Sequence, residues 1–268
     1  MKQSMSSGET LDAGTARFYR VTLEILMDAG IPFLVGGAYA FSKYTGVTRD
    51  TKDFDLFVRR VHARPALKAL ASAGYYSDLT FPHWLGKAFH GDASVDIIYG
   101  SGNGAVPVDD AWFERSVPDM ILDTPVRLCP PEEMIRSKAF IQERERYDGA
   151  DIAHLLLARG DQLDWRFLID RFGPYRQVLL SHLVLFPFIY PDDAFRVPTW
   201  VFQELVAGLG ESNPRKRKKS KVCRGPLLSR QQYLIDIGSW GYEDARLLHP
   251  GGMTKRDVAH WTAAIGKE

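Results

Sequence analysis

The chain has 268 residues, enough for one to two domains. At 45% hydrophobic, 12% aromatic and 25% charged residues its composition is ordinary for a globular protein. With 34 basic against 33 acidic side chains the net charge is +1, which excludes a generic polyanion binder, and two cysteines, Cys129 and Cys223, exclude a disulfide framework and a cysteine-rich zinc site.

In chain order, apolar positions at Phe18, Val21, Leu23, Ile25, Leu26 and Ala29 predict a helix over 14–29 that stops at Gly30. A short strand over 32–35, a Gly36-Gly37 pair and a helix over 38–44 follow. A strand over 54–58 precedes an alanine-rich helix over 64–73. Residues 84–90 and 93–99 read as two strands joined by Gly91-Asp92, a hairpin signal. Residues 120–129 read as a further strand pair or extended edge. After Pro130-Pro131 the spacing turns helical, over 132–145, 149–158, 164–172, 175–186, 198–208, 229–238 and 254–264. The expected architecture is therefore α+β, with a small mixed-sheet domain over residues 1–130 and a helical domain over 131–268.

The N-terminus is polar and lacks the apolar stretch of a signal peptide. The most apolar segment, residues 178–190, falls short of the ~20 residues that span a bilayer. A soluble, cytoplasmic protein with no membrane partner is the expectation. Positive charge is concentrated in one segment, because seven basic residues lie between Arg215 and Arg224. With Pro214, Gly225 and Pro226 as breakers, residues 213–230 read as a basic loop.

The chemistry is concentrated in Phe33-Leu34-Val35-Gly36-Gly37 and in Thr51-Lys52-Asp53-Phe54-Asp55-Leu56. Side chains alternate along a strand, so Asp53 and Asp55 share one face while Phe54, Leu56 and Val58 line the other. Carboxylates that close repel unless a cation sits between them, and a hard cation such as Mg²⁺ favours an all-oxygen set completed by phosphate oxygens. Asp96 interrupts an otherwise apolar strand, Val95-Asp96-Ile97-Ile98. If its strand neighbours that of Asp53, three carboxylates converge as in two-metal phosphoryl transfer, where ions lie ~3.5–4 Å apart. Gly36-Gly37 closes a strand and opens a helix, so backbone N–H groups there can approach a phosphate. Thr48, Arg49, Thr51 and Lys52 stand just upstream of the acid pair, where they could support a triphosphate. Taken singly, each feature has a plain structural reading: a strand-junction acid pair, a turn, a hydrogen-bonded edge acid. In this order and with these flanks they point together to metal-assisted nucleotide chemistry.

Val35-Gly36-Gly37, Asp53-Phe54-Asp55-Leu56 and Val95-Asp96-Ile97 resemble the nucleotidyltransferase superfamily of DNA polymerase β type. The 15-residue spacer between Gly37 and Asp53 is longer than is usual there. Further on, Lys138 in a helix, then Asp148 and Asp151, resemble later motifs of AbiEii-type and MenT-type nucleotidyltransferases. The resemblance covers about residues 30–157 and implies transfer of a nucleoside monophosphate from an NTP such as ATP to an acceptor hydroxyl, with pyrophosphate released. It implies Asp53, Asp55 and Asp96 as catalytic, metal-binding residues for Mg²⁺, with Mn²⁺ as a substitute. Gly36, Gly37, Thr51, Lys52 and Lys138 would bind nucleotide, and Asp148 and Asp151 would support Lys138. The acceptor would be RNA or tRNA, in a toxin-like enzyme with an antitoxin partner, or a small hydroxylated molecule. The rival reading is a non-catalytic, nucleotide-binding or regulatory module of the same fold.

Other signals are weaker. Residues 100–104 lack a full dinucleotide fingerprint and read as a flexible turn beside the site. The basic run 215–221 suits either RNA phosphates or a solvated loop, and no aromatic residues interleave it. The seven histidines show no zinc spacing.

Overall fold

In the computed structural model, residues 11–49, 51, 53–209, 221–248 and 252–265 are described. The chain divides into two compact units, one of residues 1–99 and 108–130, the other of residues 100–107 and 131–268.

The first unit is built on a seven-stranded mixed sheet of order β3-β4-β5-β2-β1-β7-β6. Helix α1 (Ala13–Asp28) starts where the Asp12 carboxylate accepts from Gly14 N and Thr15 N, each at 2.9 Å, and it buries Phe18, Tyr19, Leu23 and Leu26. Strand β1 (Leu34–Val35) runs directly into α2 (Gly37–Thr45). Strand β2 (Asp53–Phe57) alternates as expected, with Phe54 and Leu56 fully buried and Asp53, Asp55 and Phe57 half-buried. It pairs antiparallel with β1 and parallel with β5 (Ala93–Ile98). After α3 (Arg60–Ser72), β4 (Leu85–His90) and β5 close the predicted hairpin, with His90 opposite Ala93. Gly91 takes φ +58, a left-handed value that suits the first position of a two-residue turn.

Two elements of this unit go beyond the sequence expectation. Strand β3 (Tyr76–Phe81) forms the far edge on β4, and α4 (Asp110–Glu114) is a single turn buried through Trp112. The strand pair offered over 120–129 is present as the hairpin β6 (Val117–Ile121) and β7 (Thr124–Leu128), with β7 parallel to β1.

The second unit is helical: α5 (Pro131–Ala139), α6 (Gly149–Arg159), α7 (Trp165–Phe172), α8 (Arg176–Ile189), α9 (Thr199–Ala207), α10 (Leu234–Gly238) and α11 (Lys255–Ala263). Two boundaries differ from the periodicity for one reason. The expected helix over 132–145 ends at Ala139, and the expected helix over 229–238 starts at Leu234. The Glu143 carboxylate accepts from Ser229 Oγ at 3.0 Å and from Arg230 Nε at 2.9 Å, so both segments follow a tertiary contact rather than helical spacing. A two-stranded ribbon, β8 (Val222–Cys223) with β9 (Glu243–Asp244), was not expected. The flexible turn read into residues 100–104 is instead anchored within this unit: Asn103 Nδ2 donates to Leu227 O at 2.5 Å, and Gly102 lies against the Trp261 ring. Among the described residues no helix is long and apolar enough to cross a membrane.

Candidate active site

The site of the first unit is assembled by strand register. Parallel pairing of β2 with β5 sets Asp55 opposite Asp96 and Asp53 opposite Ser94. Antiparallel pairing of β4 with β5 sets Lys87 opposite Asp96. Directly opposed residues share a sheet face, so Asp53, Asp55, Ser94, Asp96 and Lys87 project together. The other face is aromatic, with Tyr19 stacked on Phe54 at 4.8 Å and Tyr39 meeting the same ring edge-on at 4.9 Å.

Three carboxylates on one face require positive charge, and Lys87 supplies it. Its Nζ lies 2.9 Å from Asp96 Oδ1 and 3.4 Å from Asp53 Oδ1. Ser94 Oγ donates a short hydrogen bond to the same Asp53 oxygen. Asp96 is 8% exposed. Burial pushes its carboxyl up to about pKa 6, against the opposing pull of the Lys87 ammonium. Burial works against the charged form of Lys87, but Asp96 and Asp53 hold its pKa above the usual lysine value. Burial also raises both phenols on the far face, Tyr39 to about 12.

Gly36 and Gly37 stand where the site needs them small. Gly36 N donates to Asp55 O at 3.0 Å, tying the loop to β2. Gly37 takes φ +52, and a Cβ there would lie 2.9 Å from Asp55 Cβ and 2.5 Å from its carboxyl carbon. The absent side chain is what lets the Asp55 carboxylate lie against the N-terminus of α2. Thr51 is committed locally: its hydroxyl donates to Asp53 O at 2.9 Å and accepts from Asp53 N at 3.3 Å, setting the start of β2. Arg49 lies over the Phe41 ring at 4.8 Å. Lys52 falls outside the described residues, as does residue range 210–220, which carries most of the basic run. A cleft of about 1170 Å³ opens beside these elements, lined by Tyr39, Ser42, Arg49, Thr51, His90 and Ala93 among others. Its lining does not include Asp53, Asp55, Asp96 or Lys87.

Among the described residues, no group of three or more His, Cys, Asp or Glu side chains gathers as a metal-ligand set. The donors that face one another nonetheless suit a hard cation in part. Asp53 takes both Ser94 and Lys87 on Oδ1, and neither contact uses Oδ2. Asp53 and Asp55 together therefore present carboxylate oxygens on one face of β2.

Lys138, Asp148 and Asp151 form a separate cluster within the second unit. Lys138 Nζ donates to Asp151 Oδ2 at 2.6 Å and to Asp148 Oδ2 at 3.1 Å. Arg146 adds two bonds to Asp148, at 3.0 and 3.1 Å. Burial alone would raise the Asp148 pKa, but Arg146 and Lys138 together hold it below the usual carboxylate range.

Lys87 and Ser94 were missed by sequence reasoning. Lys87 had a usable signal, because a two-residue turn at Gly91-Asp92 counts back to Lys87 opposite Asp96. Ser94 had none, since its partner depends on the crossover pairing of β2 with β5.

The frame is thus an α+β chain in which a mixed sheet gathers acids beside a glycine-opened helix. No family model matches the chain, and no curated protein matches it. The chain is similar to nucleotidyltransferases of solved structure. The solution structure of the antibiotic-resistance factor ANT(2'')-Ia matches at 18% identity with a TM-score of 0.45, over 64% of this chain and 98% of that one. The lincosamide antibiotic adenylyltransferase LnuA, lincomycin-bound, matches at 15% identity with a TM-score of 0.39, over 55% and 98%. An antigenic nucleotidyltransferase-like protein from Paracoccidioides brasiliensis matches at 18% identity with a TM-score of 0.43, over 72% and 99%.

Proposed function

We propose that the chain is a nucleotidyltransferase that moves a nucleoside monophosphate from an NTP to an acceptor hydroxyl. The observation that carries this reading is the convergence of Asp53, Asp55 and Asp96 on one face of adjacent strands, with the Asp55 carboxylate seated against Gly37 at the N-terminus of α2. A phosphate is favoured at that terminus by the first-turn amides of α2 and by the helix dipole.

Asp53 and Asp55 would hold Mg²⁺, or Mn²⁺ in its place, and the ion would neutralise triphosphate charge as the transition state forms. The acceptor oxygen forms a new bond to the α-phosphorus while the bond from that phosphorus to the α–β bridging oxygen breaks. Pyrophosphate leaves, and the hydroxyl proton passes to Asp96. The α2 terminus beginning at Gly37 would bring backbone amides to the phosphates, while Gly36 and Thr51 hold the loop and the start of β2 in place and Lys52 is a further candidate contact from the sequence. Lys138, held by Asp148 and Asp151, would be a separate phosphate contact within the second unit. Positioning and charge neutralisation supply the acceleration. Lys87 supplies a positive charge between Asp53 and Asp96.

Incubation with Mg²⁺ and each α-labelled NTP tests the reading, with small RNA in one arm and a small-molecule extract in the other. Label moving to either acceptor is expected, and the arm that receives it assigns the acceptor class. Asp55→Asn should abolish that transfer with little change in melting temperature. Transfer surviving in Asp55→Asn would remove the site assignment. The second reading, a nucleotide-binding module without transfer, draws on the Lys87 bridge that already neutralises two of the acids. It is favoured if NTP binds and no label moves.

A further inference from the structure

We infer that Lys87 is a built-in cation that takes the place of the second metal ion, so that the site binds one divalent ion together with the nucleotide. The inference rests on the nucleotidyltransferase reading and specifies its electrostatics.

Three observations carry it. The ammonium bridges Asp53 and Asp96, at 3.4 and 2.9 Å, which is the gap an acceptor-side ion would fill. The bridge is set by the strands: Lys87 lies directly across from Asp96 on β4, and Asp96 lies directly across from Asp55 on β5. The Lys87 side chain is 23% exposed and that of Asp96 only 11%, so water screens the contact weakly. The contacts also divide the donors. Lys87 and Ser94 both meet Asp53 through Oδ1. Asp53 and Asp55 share one face of β2, and a single hard cation would be held by that carboxylate pair with phosphate oxygens completing its shell. An ion between Asp53 and Asp96 would have to meet the ammonium at contact distance, and two like charges so placed repel by several kcal/mol at an effective dielectric of ~20.

The physical consequence is a site whose acids are compensated before any metal arrives. A mobile ion at that position must bind from solution on each cycle; a lysine on a central hairpin is present throughout. Lys87 keeps Asp96 facing the acceptor as a carboxylate, and the metal requirement falls on Asp53 and Asp55 alone.

The test counts ions. Manganese bound to the intact chain is titrated by electron paramagnetic resonance at a saturating concentration of a non-hydrolysable α,β-methylene ATP, with the nucleotide alone as the reference. One Mn²⁺ per chain is expected for the wild type, one for Lys87→Arg, and two for Lys87→Met, where the vacated gap recruits a second ion. In the absence of metal Lys87→Met should melt below wild type, and Mn²⁺ should restore it by more than it raises the wild type. Two ions in the wild type overturn the inference while leaving the nucleotidyltransferase reading standing. One ion in a folded Lys87→Met overturns it equally. No Mn²⁺–nucleotide binding to the folded wild type removes both, through the loss of the Asp53–Asp55 site. If Lys87→Met does not fold, the wild-type count and that of Lys87→Gln decide.

Discussion

Replacing Gly37 with alanine separates backbone strain from carboxylate displacement at the centre of the site. At φ +52 an alanine costs about 1–2 kcal/mol relative to glycine. Gly46, at the C-terminal end of the same helix, also holds a left-handed φ, +74, with nothing within 4 Å of an added Cβ. Gly46→Ala therefore reports the strain alone. For a unit of this size such a cost lowers the melting temperature by roughly 4–8 °C. At Gly37 the new methyl also meets Asp55, with the carboxyl carbon only 2.5 Å away. Its Oδ2 lies nearer still, and ordinary contact requires about 3.5 Å, so the carboxylate must retreat by more than about 1 Å. A displacement of that size at a reacting centre can cost about 100-fold in rate. Gly37→Ala should thus lose about two orders of magnitude in transfer, and its metal-dependent rise in melting temperature should shrink. Gly46→Ala should keep both. The assays are label transfer at saturating NTP and thermal melting with and without Mn²⁺. Equal transfer and equal metal response in the two variants would refute the placement of Asp55 against Gly37.

Further outcomes follow from buried groups of the second unit. His182 is 4% exposed, and burial lowers its pKa, partly opposed by the Ala139 carbonyl that accepts from Nε2 at 3.0 Å. Because its folded pKa lies below the unfolded value, the stabilisation is full above about pH 6.5 and declines as pH falls below it, by at most about 1.4 kcal/mol per pH unit. Denaturant midpoints measured from pH 8 to 5 should show that decline in the wild type and lose it in His182→Gln. Lys138→Met leaves the Asp148 and Asp151 carboxylates, each under 10% exposed, without their shared cation. The expected loss is about 3 kcal/mol by urea unfolding; adding Asp151→Asn should recover part of it, and no recovery would place the cost in packing instead. Asp148 contributes in the opposite pH sense. Its pKa is depressed, so its stabilisation is complete above about pH 4 and lost as acid is added below it, a slope that Asp148→Asn should remove.

Much of the fold was legible because local spacing and tertiary burial agree. The alternation in Asp53-Phe54-Asp55-Leu56 is the burial phase of β2, and the Gly91-Asp92 turn closes β4 on β5 where the strand pattern breaks. Legibility failed where the two conflict. Strand β3 leaves Tyr76 70% exposed and pairs on one side only, so it lacks the apolar face that marks a strand. Residues 140–147 follow Glu143 to its distant partners rather than continuing α5. The sheet order turns on two parallel pairings, β2 with β5 and β1 with β7, that no local period encodes.

The site divides along the same line, and Lys87 shows where. The acids announce themselves, since a charged residue in an apolar strand is conspicuous. A lysine on a strand is ordinary until its register is known. Here the register follows from the turn: His90 opposite Ala93 implies Phe89 opposite Ser94, Ala88 opposite Val95, and Lys87 opposite Asp96. A one-residue slip in that hairpin would move Lys87 to the opposite face and leave Asp96 buried without a cation. The two-residue turn therefore fixes an electrostatic partner as well as a strand pairing. On that argument, lengthening the Gly91-Asp92 turn by one residue should disturb the charge balance of the site even with all three acids left in place.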